Sequence, residues 1–209
     1  MSKIVKRIMH ELEHHIPFTL FGAATGILLM VIIFYGNFLS NVSSVSENVF
    51  FILHPTHVFL SALVTTTIYL KYAKKNLWLA LIIGYTGAIG IATISDSIIP
   101  YIGEMALGLP NAEAHIGFIE KPIITNIPAI IGIIIGYWKG FSKVPHAGHV
   151  LISTWASLFH VIMALGSTIS MVQLIGIFVF LFLAVWLPCC TSDIVYPLLF
   201  SQKKNKTLK

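Results

Sequence analysis

Six long apolar runs dominate the chain, at residues 17–39, 49–70, 77–101, 122–138, 150–167 and 171–200. Each approaches or exceeds the roughly 20 residues that a helix needs to cross about 30 Å of hydrocarbon. The polar intervals between them are short, so no soluble domain intervenes. The pattern predicts an all-α fold, a polytopic membrane bundle of six transmembrane helices. Pro188 is expected to break the last and longest run.

Ahead of the first run, Ile4, Val5, Ile8, Leu12 and Ile16 recur at helical spacing while Lys3, Arg7, His10 and His14 occupy other faces. This spacing predicts a short amphipathic helix lying on the membrane surface. The expected division is therefore an interfacial helix over 1–16, a six-helix transmembrane domain over 17–200 and a basic tail over 201–209. Glu11 and Glu13 mix with the basic residues of the first segment, and no small-residue cleavage site follows, so the first run is expected to stay in the membrane rather than act as a removable signal. Small residues at four-residue spacing (Gly22 and Gly26; Gly132, Gly136 and Gly140) suit close helix packing in lipid.

Composition strengthens the membrane reading, because 56% of the residues are apolar and only 10% are charged, against about a quarter charged in a soluble domain. Charge then orients the bundle. Of the 13 Lys and Arg residues, Lys121 alone falls in an interval of opposite parity, which places both termini in the cytoplasm with the chain in the cell membrane. The net charge of +5 is dispersed in short clusters between apolar runs, a pattern suited to anionic lipid and not to nucleic acid. The expected partners are the lipid bilayer and a metal ion, with a homo-oligomer or a larger membrane complex left open.

Nine histidines are conspicuous in so apolar a chain, because ionisable groups within spans are tolerated mainly where they face a cavity, a ligand or one another. On the expected topology they separate into two sets. His54, His57, Asp96, Glu104 and His115 lie toward the outer face and are candidate metal ligands. At the inner face stand His10, His14 and His15, His146 and His149, and Cys189, Cys190 and Asp193. Adjacent cysteines form a strained disulfide at best, which leaves two thiols for metal or redox chemistry. Between the sets, Ser61 and Thr65 continue the face of His57, and Ser153, Ser157 and His160 continue that of His149. With Thr93, these residues are expected to line a hydrophilic path.

Imidazole, carboxylate and thiolate are the ligands of a divalent transition metal such as zinc, iron or manganese, and i, i+3 pairs such as His54 and His57 place two donors around one ion. Each group also has a structural reading: interfacial histidines bonded to water, a kink-associated Asp96 before Pro100, a packing hydrogen bond at His160, small buried thiols at Cys189 and Cys190. Glycine-rich phosphate loops, a GxSxG elbow and CxxC are all lacking, which removes support for phosphate-driven pumping and serine hydrolysis.

The HxxxHH pattern of His10, His14 and His15 resembles one histidine box of the membrane di-iron hydroxylases and desaturases, and HPTH and HAGH are similar to degraded further boxes. That resemblance implies an iron site with all its boxes on one membrane face, whereas the charge pattern puts HPTH opposite the other two. Three functions remain in view: a small metal-ion permease or exporter, an intramembrane metalloenzyme with a His/Asp site at the outer face, and a non-catalytic subunit of a membrane complex.

Overall fold

The computed structural model describes residues 3–73, 75–139, 144–190 and 195–200. Among these the chain is all-helical, with no strand. The elements are α1 (Lys3–Tyr35), α2 (Leu39–Tyr72), α3 (Leu77–Thr93), a π-helical turn (Ile94–Ile98), α4 (Ile99–Ala106), α5 (Gly117–Glu120), α6 (Pro122–Trp138), α7 (Val144–Ala164), α8 (Met171–Cys190) and α9 (Tyr196–Leu199).

Among the described residues, four segments are long and apolar enough to cross a membrane, Ile16–Tyr35, Leu39–Tyr72, Leu77–Ala106 and Met171–Cys189, with mean hydropathies of 2.3, 1.5, 1.9 and 2.4. The other two expected spans appear as shorter apolar helices, Pro122–Trp138 and Gly148–Ala164. At 1.5 Å per residue the former is about 26 Å long, slightly less than the hydrocarbon core. Among the described residues the structure thus supports a membrane protein with four helices long and apolar enough to span and two shorter apolar helices.

Two boundaries differ from the hydropathy pattern. The expected surface helix and the first span are one continuous helix, α1, which runs through Pro17. Proline withholds an amide from the carbonyl four residues earlier, and that residue, Glu13, is exposed, where water can serve the freed carbonyl. α2 begins ten residues before its apolar run, taking in a segment rich in serine and asparagine. Such side chains usually compete with the helical backbone; here Ser44 and Ser46 instead donate to the carbonyls of Asn41 and Val42 within the helix.

α2 is the hub of the bundle, packed chiefly against α6, α7 and α3, while α1 lies against α8 and α7. Glycine permits the closest of these approaches. A Cβ on Gly136 would stand 2.7 Å from the Leu63 carbonyl oxygen, so the α6 backbone rests directly on that of α2.

The polarity of the bundle is inverted relative to a water-soluble protein. Phe21, Leu28, Ile82, Ile123 and Val172 are exposed, whereas His54, His57, Asp96, Glu104, Ser153, Ser157 and His160 are all 0–1% exposed. Apolar side chains outward and ionisable groups inward is the arrangement that hydrocarbon solvent demands, and it delivers the polar stripes of α2 and α7 to one interior.

Candidate functional site

The interior is organised around Asp96, which the π-helical turn carries. Pro100, just beyond the turn, has no N–H to offer the Asp96 carbonyl, so the α-helical ladder is interrupted there. The Ile99 amide bonds to Ile94 across the wider turn instead. Turns of this kind bulge one residue out of register and recur at functional sites.

Both histidines of HPTH point Nδ1 at the same carboxylate oxygen. Asp96 Oδ2 accepts from His54 Nδ1 at 2.9 Å and from His57 Nδ1 at 2.7 Å, while Oδ1 accepts from the Ser153 hydroxyl at 2.7 Å. Because Ser153 spends its only proton on Asp96, Ser95 must be the donor in the 2.7 Å Ser95–Ser153 bond. Ser157 in turn donates to the backbone carbonyls of Ser153 and Ser95, at 2.9 and 3.1 Å. A carboxylate only accepts, so each neutral imidazole holds its hydrogen on Nδ1 and leaves a bare lone pair on Nε2.

The Nε2 of His57 faces α8, where Cys189 Sγ lies 3.8 Å away and the same sulfur is 3.8 Å from Ser153 Oγ. His149 stacks on His57 with ring centroids 5.4 Å apart and planes 6° from parallel. One ligand atom each from His57, His149 and Cys189 falls within 4.8 Å of the others, and all three residues are buried. Ligands held 2.0–2.3 Å from a tetrahedral ion stand roughly 3.3–3.8 Å from one another, so side-chain shifts of about 1 Å would close this set on a metal. The cluster could therefore hold a metal ion, and Asp96 supplies the carboxylate that typically orients a metal-binding histidine from its far nitrogen.

Glu104 and His115 are engaged elsewhere than in this cluster. His160 Nδ1 donates to Glu104 Oε1 at 2.7 Å, and His160 Nε2 accepts from the His115 amide at 3.3 Å, so both ring nitrogens are occupied. The His115 side chain meets Glu120 at 3.3 Å in the partly exposed loop. Phe50 packs between the two buried systems, stacked on His54 and edge-on to His160.

The structure thus distributes the five outer candidates over two systems, His54, His57 and Asp96 in one, Glu104 and His115 around His160 in the other. It also joins His57, from the outer set, to His149 and Cys189, from the inner set. Ser61, Thr65 and Thr93 are buried along the interior. Asp193 and Gly140, and the side chains of His10, His14, His15, His146 and Cys190, lie outside the described residues. Ser153 supports Asp96 beyond its place on the α7 stripe, Ser95 is recognisable in the sequence only as a hydroxyl beside a membrane carboxylate, and no spacing points to Glu120, which holds the His115 ring and the Ile116 amide.

Comparison with protein-family models, curated proteins and solved structures found no match to this chain.

Proposed function

We propose that the protein is a membrane carrier for a divalent transition-metal ion, held during passage by His57, His149 and Cys189. The observation that carries this reading is the grip of Asp96 on His57: a buried carboxylate fixes the histidine tautomer so that Nε2 faces a buried thiol and a second imidazole. Two imidazoles with a thiolate suit zinc or iron(II) better than manganese, which favours oxygen donors. Passage is supported by the column of polar residues on α7. From His149 through Ser153 to Ser157 it extends about 12 Å at the helical rise, about two fifths of the hydrocarbon thickness, and it ends one turn short of the paired His160 and Glu104.

In this reading α6 and α7 complete the bundle as the fifth and sixth membrane-crossing elements, and the basic intervals keep both termini in the cytoplasm of a cell-membrane protein. Single cysteines introduced at Ser44 and Ala112, in a background with Cys189 and Cys190 replaced by serine, should label from outside. One at Lys74 should label only after permeabilisation. Labelling at Lys74 in intact cells would reverse the orientation.

A second reading, an intramembrane metalloenzyme, is favoured by one feature: three protein ligands leave a fourth coordination position free, as catalytic zinc sites require. Reconstitution into sealed vesicles containing a zinc-responsive dye, with metal analysis of the purified protein, separates the two. Bound zinc with flux supports the carrier, and stoichiometric zinc without flux supports the enzyme. Absence of both would leave the chain as a subunit of a membrane complex.

A further inference from the structure

The end of α1 and the turn before α8 meet around a cavity of about 660 Å³, within the usual size of a small-molecule site, about 300–1,000 Å³. Its wall carries Asn37, Ser40 and Ser43 around the start of α2, Asn111 from the loop after α4, and Ser167. The span in α1 ends at Tyr35 and that in α8 begins at Met171, so this polar wall lies just past the hydrocarbon boundary. There Ser170 and Gln173 close the first turn of α8 with reciprocal bonds to each other's amides, at 2.9 and 3.2 Å. Asn111 is tied to the end of α7 by its Nδ2, which donates to the Leu165 carbonyl at 3.1 Å, and its Oδ1 remains to accept. The side chains of Asn37, Ser43 and Ser167 are not spent on protein partners among the described residues. On the hydrocarbon side, Ile27, Val31 and Tyr35 of α1 and Met171, Ile175 and Phe178 of α8 line an apolar groove of about 380 Å³. Ile27 to Tyr35 covers about 12 Å at the helical rise, most of one leaflet. Cavity and groove adjoin, because Phe34, which lines the first, and Tyr35, which lines the second, touch edge to face with ring centroids 5.5 Å apart.

We propose that cavity and groove together bind one membrane lipid whose headgroup is uncharged and rich in hydroxyls, such as a glycosyl diacylglycerol, with the headgroup in the cavity and an acyl chain along the groove. The groove accepts any acyl chain, so selectivity lies in the cavity. No Lys, Arg or His lines it, and a phosphate there would lack the charge-assisted bonds that usually hold one. The charged residues of the same segments, Glu47 and Glu113, are acidic and oppose an anion; Glu47 is already paired with Lys121 at 3.2 Å. Amides and hydroxyls offer donors and acceptors together, which is the complement of a sugar's hydroxyl groups. The adjoining groove favours a lipid over a free sugar. Anchorage in the bilayer keeps the headgroup at the cavity mouth at high effective concentration, so hydrogen bonds too weak to retain a soluble sugar suffice.

Native mass spectrometry of the full chain tests this. The protein is purified in an amine-oxide detergent, whose headgroup is not a polyol, and offered equal amounts of galactosyl diacylglycerol, phosphatidylglycerol and phosphatidylcholine with the same acyl chains. The wild type is expected to keep one galactosyl lipid about tenfold in preference to either phospholipid, the equivalent of one or two hydrogen bonds. Ser43→Phe fills the cavity and Ile175→Trp fills the groove, and each is expected to cut that retention about tenfold. Ser167→Leu, on another wall of the cavity, should do the same and keeps the test decisive should Ser43→Phe fail to fold. Equal retention of the three lipids, retention of none, or variants that bind as the wild type does would overturn the site. Soluble galactose that binds alone, unaffected by Ile175→Trp, would make the cavity a free-sugar site and overturn the lipid. A dimer that Ile175→Trp dissociates would give the groove to a second copy of the chain, with the same consequence.

Discussion

His57 and Asp96 are joined through Nδ1 and Oδ2 at 2.7 Å inside a bundle whose outer surface is apolar. This bond decides the chemistry of the other ring nitrogen. With the hydrogen committed to the carboxylate, Nε2 is a base or a ligand and nothing else, and the turn that carries Asp96 positions it to serve His54 in the same way.

Asp96→Asn preserves the shape but offers one acceptor atom where the carboxylate has two, and it brings an NH2 group that clashes with a donor. The tautomers of His54 and His57 are then no longer enforced. Zinc affinity is expected to fall about 10- to 100-fold, the usual cost of losing such an outer partner. Competition against a chelator of known affinity measures it, and wild-type affinity would remove Asp96 from the metal argument.

Cys189→Ser exchanges a soft sulfur for a hard oxygen at nearly constant volume, so the fold should persist. Cobalt(II) bound to the variant is expected to lack thiolate charge-transfer absorption, and zinc should bind more weakly than to the wild type. Persistence of that absorption would show that Cys189 is not the sulfur ligand.

Much of the architecture is legible from spacing alone. Hydropathy is sufficient for the all-helical membrane class, because backbone groups in hydrocarbon have few ways to be satisfied. Helical periodicity puts His149, Ser153 and Ser157 on one face of α7 because that relation is local. The junctions between helices are not local. No spacing brings Cys189 to His57, 132 positions away, or pairs His160 with Glu104, 56 positions away. Hydropathy assigns whole span ends to one face or the other and so puts His57 and Cys189 on opposite faces. α2 and the joined α3 and α4 are 34 and 30 residues long, so a residue near an apolar boundary can still sit well inside the bundle. The widened turn at Asp96 is hidden in the same way, since Pro100 signals an interruption but not which carboxylate it will present.

Gly136→Ala tests the packing that holds α2 and α6 together. The added methyl would lie 2.7 Å from the Leu63 carbonyl oxygen, and backbone cannot swing aside as a side chain can. Overpacking of this kind costs about 1–3 kcal/mol. Thermal unfolding in detergent should show a lower midpoint for Gly136→Ala. Gly90→Ala, whose Cβ meets nothing within 4 Å, should unfold at the wild-type midpoint or above it, since alanine is the better helix former.

The pairing of His160 with Glu104 sets two roles for one residue against each other. As a relay in the path, His160 would need a free lone pair, yet Nε2 accepts from the His115 amide and Nδ1 is committed to Glu104. This geometry assigns it to holding the loop and the glutamate. His160→Ala therefore leaves a 1%-exposed carboxylate without its partner, a loss of about 3–5 kcal/mol for a broken buried pair. Replacing both groups removes the stranded charge as well. The double variant His160→Phe with Glu104→Leu is expected to recover most of the lost stability, because apolar residues of similar volume often replace a buried pair at little cost. Unfolding midpoints of the wild type, His160→Phe, Glu104→Leu and the double variant form a complete cycle. If His160→Ala keeps wild-type stability and loses metal flux, the relay role returns and the structural assignment of His160 falls.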